Sequence, residues 1–260
     1  MIWVSYTQLK LFEQCPKAYK YRYVEKLPSK VKPVLLMANS VHAALKDFFL
    51  IADTEQRTKP VLEDLLRKAW RSSSDRKKAF KTTLEEKTYG EKAIAMLGSF
   101  FDKHDIKAKP AALEEFYKVP YDANITLCGK VDRIDTSADG SLIIIDYKTG
   151  KPPADKDEFL NTDYQLGMYG ILVRKKMLTK IEKIMYIYLE NYQELSLSPT
   201  VEYLENVYDK VINAAKVILA EKEFLPKPGS FCRICDFTDQ CDCAKTAPVK
   251  QVPEPEEVPF

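Results

Sequence analysis

Several things are scarce in this 260-residue chain. No apolar run approaches the roughly 18 residues that a membrane span needs. The opening MIWVSYTQLK lacks a charged segment followed by an apolar one, so no secretion leader is expected and the cytoplasm is the expected compartment. Net charge is only +2, which excludes a polycation that coats nucleic acid indiscriminately. There is no G-x-x-x-x-G-K-[ST] loop, so these residues hold no P-loop motor. No internal repeat is present. Histidine occurs twice, as His42 and His104, which leaves two residues to choose from for any imidazole ligand.

What is present is an ordinary globular composition. With 45% hydrophobic and 30% charged residues, the chain can build one large core or two small ones without disulfide staples. In a cytoplasmic chain the six cysteines point to metal binding rather than to disulfides. Basic residues cluster over 17–32, 67–81 and 174–183, each run being either a solvated helix face or a phosphate-contacting one.

Periodicity divides the chain. Residues 5–23 predict a helix, capped by Ser5 or Thr7 and interrupted at Pro16. Further helices are predicted over 40–52, 60–72 and 76–103, the first with Val41, Ala44, Leu45, Phe48 and Phe49 at helical spacing. The period then shortens. ALEEFYKVPYD and ITLCGKVDRIDT read as strands, Ser137 to Gly140 as a turn, and 141–148 as the second arm of a hairpin. A helix over 158–176, a strand in KIMYIYLEN and a long amphipathic helix over 200–222 complete the order. That order predicts a mixed α/β core with a mainly antiparallel central sheet, flanking helices and an N-terminal helical part. Residues 244–260, rich in Pro, Glu and Val, cannot bury much and are expected to be disordered.

The hairpin carries unusual charges. Leu142 to Ile145 form an apolar strand that ends in Asp146 and Lys148, two apart and therefore on one side. The other arm offers Asp132, which pairing about the turn brings towards Asp146. Two close carboxylates repel unless a cation lies between them. Mg²⁺ and Mn²⁺ favour such oxygen ligands. A lysine beside that pair suits phosphodiester hydrolysis, where a water must be deprotonated and charge on a phosphoryl oxygen neutralised.

GKVDRID and SLIIIDYKTG resemble motifs II and III of the PD-(D/E)xK nuclease superfamily, in its RecB-type branch. The resemblance implies a restriction-endonuclease-like core and a metal-dependent nuclease. It assigns His42, in ANSVHAAL, as the metal-ligating histidine, although Ala38 stands where the branch usually has Gly. His42, Asp132 and Asp146 would hold the metal, with the Tyr147 carbonyl as a further ligand and Lys148 activating water. DYQLGMYG supplies the branch's Gln-x-x-x-Tyr motif as Gln165 and Tyr169, four apart on one helix face. Glu115 resembles an acidic position of the branch, with Glu114 as its rival. His104 has no such context and is expected at the surface.

FCRICDFTDQCDC holds Cys232, Cys235, Cys241 and Cys243, a set that suits zinc or an iron–sulfur cluster on spacing alone. SYTQLKLFEQCPKAYKYRY is similar to the opening of the iron–sulfur members of the family, such as AddB and the CRISPR-adaptation nucleases. That similarity implies a [4Fe–4S] cluster on Cys15, Cys232, Cys235 and Cys241, with Cys243 as an alternative to Cys241. Cys128 reads as a small buried hydrophobe.

The resemblance implies one nuclease domain over 1–243, with a helical insertion at about 50–108 and the cysteine closure joining its ends. It also implies DNA as substrate: an exonuclease on single strands or ends, in recombination, repair or CRISPR adaptation. A non-catalytic iron–sulfur DNA-binding subunit and an endonuclease of the same superfamily are the alternatives. Partners implied are a separate helicase, CRISPR integration proteins or a single-stranded-DNA-binding protein, whose acidic, Phe-ended tip the terminal PEPEEVPF resembles.

Overall fold

The computed structural model describes residues 1–243, and the tail expected to be disordered lies outside them. In chain order the elements are β1 (Ile2–Val4), α1 (Tyr6–Gln14), α2 (Pro16–Tyr19) running into a π-helical turn (Lys20–Val24), α3 (Pro33–Phe49), α4 (Lys59–Ser72), α5 (Arg76–Ala79) and α6 (Thr83–Lys103). Then come β2 (Ala112–Pro120), β3 (Ile125–Thr136), β4 (Leu142–Lys148), α7 (Lys156–Thr162), α8 (Gln165–Met177), β5 (Ile181–Tyr188), β6 (Gln193–Leu197) and α9 (Val201–Ala220). The described residues form two compact units: Met1–Tyr6 with Val31–Leu219, and Thr7–Lys30 with 220–243.

The first unit is built on a six-stranded mixed sheet in the order β1-β3-β4-β5-β6, with β2 also on β3. The hairpin forms as its turn chemistry dictates. Gly140 takes φ +84°, and Asp139 Oδ1 accepts from the Ser141 amide at 2.9 Å. Arg133 pairs with Ile145, so Asp132 lies level with Asp146. β1 runs parallel to β3 at Ile125–Leu127, while β4 pairs antiparallel with its far half, Arg133–Thr136. β2 takes up the other edge of β3 from Thr126 to Ile134. Residues 128–132 therefore lie between two strand pairings on one edge, and Asp132 sits where β4 ends. The sequence pattern missed β1 and β6, strands of three and five residues, too short to show alternation.

Helices α3, α4 and α6 cover one face. α3 starts at Pro33, earlier than expected, because proline presets φ at a first helical position. α4 buries Leu62, Leu66 and Trp70, one stripe at four-residue spacing. The helix expected over 76–103 breaks after Ala79. Thr82 restarts it as an N-cap, its hydroxyl accepting from the Glu85 amide at 3.1 Å. Val41, Leu45, Phe48, Met96, Leu97 and Phe100 meet Ile145, Tyr147, Met185 and Ile187 of the sheet in one apolar core. Buried Arg57 fastens this layer by donating to the carbonyls of Phe49, Ile51, Ile106 and Ala108.

The second unit joins a stretch near residue 20 to one near residue 235. Tyr19 stacks on Phe224 at 6.1 Å, and Phe12 meets both rings edge-on. Tyr21 OH donates to the Gln240 carbonyl at 3.0 Å, and Lys30 pairs with Asp239 at 2.9 Å.

Candidate active site

The site grows from the end of β4. Asp146 is buried there by the strand's apolar run, and Lys148 emerges two residues on with its Nζ 2.7 Å from Asp146 Oδ2. Gln165, at the start of α8, links the pair. Its Oε1 accepts from Lys148 Nζ at 2.7 Å, and its Nε2 donates to Asp146 Oδ1 at 3.1 Å and to Tyr169 OH at 3.0 Å. Those contacts use both faces of the amide and fix its orientation. The Lys148 ammonium also lies 4.8 Å from the centre of the Tyr186 ring, a cation–π contact.

Gln165 reaches this position because the helix expected over 158–176 is broken. Asp163 ends α7, and its Oδ2 accepts from the Gln165 amide at 3.2 Å. The same carboxylate accepts from Tyr186 OH and Tyr6 OH, each at 2.5 Å. Asp163 and Tyr186 were not singled out in the sequence; each looks like helix surface or strand core there.

Asp132 projects from β3 towards α3. Its Oδ2 accepts from the Tyr147 amide at 2.8 Å and stands 3.4 Å from His42 Nδ1. Tyr147 thus enters the site through its amide, while its ring is buried edge-on to Phe100. Glu114 Oε1 is 3.6 Å from the same imidazole nitrogen, and Glu114 also pairs with Lys130. Of the two rival acids the structure brings Glu114 to this group. Glu115 turns away and accepts from Tyr117 OH at 3.1 Å. The cause is local: Glu114 has φ +53°, a left-handed conformation that interrupts strand alternation and re-aims the side chain.

Electrostatics follow from this crowding. Burial opposes charge on His42, but the Asp132 and Glu114 carboxylates outweigh it and lift its pKa to about 10. Burial likewise opposes ionisation of Glu114, yet His42 and Lys130 hold its pKa below the usual carboxylate value. Asp146 is raised to about 6 by burial, against the pull of Lys148. Burial also pushes the Tyr169 and Tyr186 hydroxyls up, so both stay neutral.

These side chains suit a hard cation. Ligand atoms of His42, Glu114 and Asp132 all lie within 4.8 Å of one another. Asp146 is not one of that trio; its buried Oδ2 is held by the Lys148 ammonium at 2.7 Å.

His104 is corrected from surface to partly buried. It stacks on Phe100 at 4.6 Å, meets Tyr192 OH at 2.9 Å through Nδ1 and faces Arg133 Nη1 at 3.0 Å through Nε2. Burial, seconded by the Arg133 charge, lowers its pKa to about 4.

In the second unit Cys15, Cys232, Cys235, Cys241 and Cys243 line one cavity, closed on one side by Phe237. Backbone amides point at two of the sulfurs: Lys227 N at Cys15 Sγ and Phe237 N at Cys235 Sγ, each at 3.5 Å. No three cysteine sulfurs among the described residues fall within 4.8 Å of one another. Cys128 is buried in β3, as its small apolar character predicts.

The sequence profile of the PD-(D/E)XK nuclease superfamily matches residues 3–242. The chain belongs to this superfamily. Its mixed central sheet flanked by helices is the superfamily's fold, and the carboxylates and lysine at the end of the β3–β4 hairpin fall within the matched region. A curated relative, one subunit of the ATP-dependent helicase/deoxyribonuclease of Streptococcus mutans serotype c, is 28% identical over 127 residues. That match covers 46% of this chain, and the chain spans only 12% of the relative's length. A crystal structure of a candidate exonuclease from Eubacterium rectale superposes with a TM-score of 0.52 at 14% identity, covering 96% of this chain and 90% of that one. The fold is shared at that distance.

Proposed function

We propose that the chain is a Mg²⁺- or Mn²⁺-dependent deoxyribonuclease that degrades single-stranded DNA or DNA ends. The observation that carries this reading is that His42, Glu114 and Asp132 bring ligand atoms within 4.8 Å of one another beside the paired Asp146 and Lys148. His42, Glu114, Asp132 and Asp146 would hold the cation, with the Tyr147 carbonyl as a further ligand. When bound, the cation supplies Lewis acidity at a phosphoryl oxygen and a more acidic water.

The chain's own residues supply the rest. Lys148, steered by Asp146 and Gln165, places an ammonium where negative charge develops on the phosphate and orients the attacking water. Gln165 holds that ammonium extended, and Tyr169 holds Gln165. Tyr186, pinned by Asp163, floors the lysine.

The curated relative is named as part of a helicase/deoxyribonuclease, which supports DNA as substrate and a separate helicase as partner. Recombination, repair and CRISPR adaptation are the settings that fit such an activity. The cysteine cavity supports a [4Fe–4S] cluster on Cys15, Cys232, Cys235 and Cys241, with Cys243 the alternative to Cys241. Its role there is to tie residues 7–30 to residues beyond 220 by closing a long loop. Anaerobically purified protein is expected to be brown with stoichiometric iron; a colourless protein containing zinc would overturn the cluster.

The activity is tested by digesting end-labelled single-stranded DNA with Mn²⁺ or Mg²⁺, beside a circular strand and a Lys148→Ala variant. Metal-dependent loss of the linear strand, absent on circles and in the variant, is expected. Cutting of circles would instead make the chain an endonuclease. No cleavage of any DNA by the iron-bearing protein would leave a DNA-binding subunit.

A further inference from the structure

Trp3, Phe116 and two lysines form a feature that the cleavage chemistry leaves unused. Trp3 of β1 and Phe116 of β2 stack with centroids 6.3 Å apart and planes 20° apart. Neither belongs to the core: Trp3 is 45% exposed and Phe116 52%. Lys118 sets its Nζ 5.6 Å from the Trp3 ring centre. Trp3 pairs with Thr126, Lys118 with Cys128 and Phe116 with Lys130. Thr126, Cys128 and Lys130 alternate along β3, so all these side chains share one sheet face.

That face is continuous with the candidate active site. Lys130 pairs with Glu114, which stands 3.6 Å from His42 Nδ1. From Lys130 to Thr126 the strand advances about 13 Å, a strip leading away from the catalytic carboxylates. Two large ring faces kept in water beside ammonium groups are an unfavourable surface unless something covers them. An apolar protein partner would have to desolvate the lysines, which protein interfaces avoid. Unpaired bases offer π-faces for the rings, and their phosphates offer charge for the ammonium groups. Bases in an intact duplex are already stacked and cannot supply those faces.

Taking its location from the nuclease reading, we infer that Trp3 and Phe116 form a base-stacking platform for single-stranded DNA. Lys118 contacts the phosphates, and the strand is laid along β3 into the cleavage site.

The iron-bearing chain provides its own probe. It has two tryptophans, and Trp70 is 8% exposed and stacked on Phe80, so quenching by an added oligonucleotide reports Trp3. The titration is run in EDTA with oligothymidylate, an abasic strand of equal length and a blunt duplex. Oligothymidylate is expected to quench the emission, the abasic strand to bind about tenfold more weakly, and the duplex to leave the emission unchanged. By anisotropy of labelled oligothymidylate, Trp3→Ala and Phe116→Ala should each weaken binding about tenfold, and Trp3→Phe should restore most of it. Equal affinity for abasic and base-bearing strands, or unchanged affinity in both alanine variants, would overturn the platform. A wild-type chain that is quenched but does not cut with Mn²⁺ retains the platform and loses the nuclease reading. One that cuts but shows no quenching does the reverse.

Discussion

Asp132 and Arg133 are neighbours in β3, yet they head two buried charge clusters of opposite character. Arg133 is fully buried and satisfied. Its Nε and Nη2 donate to the two Asp135 oxygens at 2.7 and 2.6 Å, Nη1 faces His104 and Tyr147 OH, and the guanidinium lies 4.0 Å from the centre of the Phe49 ring. Around Asp132 three carboxylates crowd together. Glu114, Asp132 and Asp146 share His42, Lys130 and Lys148, with His42 facing two of the carboxylates at once. The first cluster closes on itself and holds structure. The second has surplus acceptors, which is the condition for taking up a cation. Tyr147 joins them, its hydroxyl on the arginine side and its amide on Asp132.

The contrast is sharpest under mutation. Arg133→Leu should cost about 3–5 kcal/mol, because it strands Asp135 and uncovers Phe49, and urea unfolding reads that loss. Lys148→Ala should move the urea midpoint less, because Asp146 can take up a proton in its place, and lower cleavage about 100- to 1,000-fold in single-turnover assays. Glu114→Gln should weaken Mn²⁺ binding about tenfold by calorimetry while Glu115→Gln leaves it near wild type; the reverse result would reassign the acidic position.

Acid separates the clusters more gently. His104 has a pKa near 4 in the fold against 6.5 for the free side chain, so the unfolded chain binds more protons between those values. Stability from this group is therefore complete above pH 6.5 and drains as pH falls towards 4, by about 1–2 kcal/mol after allowing for partial exposure. His104→Phe should flatten that part of the stability–pH curve relative to wild type. The smallest effect is expected at Gly129, where a Cβ would approach Tyr169 Cε1 and Leu172 Cδ1 at 3.0 Å. Gly129→Ala should shift Tyr169, loosen Gln165 and slow cleavage a few-fold, with an unchanged rate showing that the ring can give way.

Much of this architecture was legible in the chain. The hairpin follows from period-two apolar residues and an Asp-Gly turn, and its register sets Asp132 level with Asp146. His42 and the Gln165–Tyr169 pair came from the resemblance to the RecB-type branch, the four-residue spacing adding only that Gln165 and Tyr169 share a helix face. The failures share a cause. The helix over 158–176 looked continuous because Asp163 and Tyr164 break it through a cap and long-range tyrosine contacts that composition does not encode. His104 looked like surface because its burial comes from Phe100, Tyr192 and Arg133, distant elements folded onto it. Trp3 lay ahead of the first predicted helix in a stretch given no element, so its stacking with a residue over a hundred positions away went unseen.

By itself the sequence determined the strand–turn–strand unit, the spacing of its charges and the membership those motifs carry, because each depends on residues a few positions apart. Tertiary structure decided between Glu114 and Glu115. A positive φ at Glu114 reverses the direction its side chain would take in a regular strand, and only the packed sheet and α3 hold it there against His42.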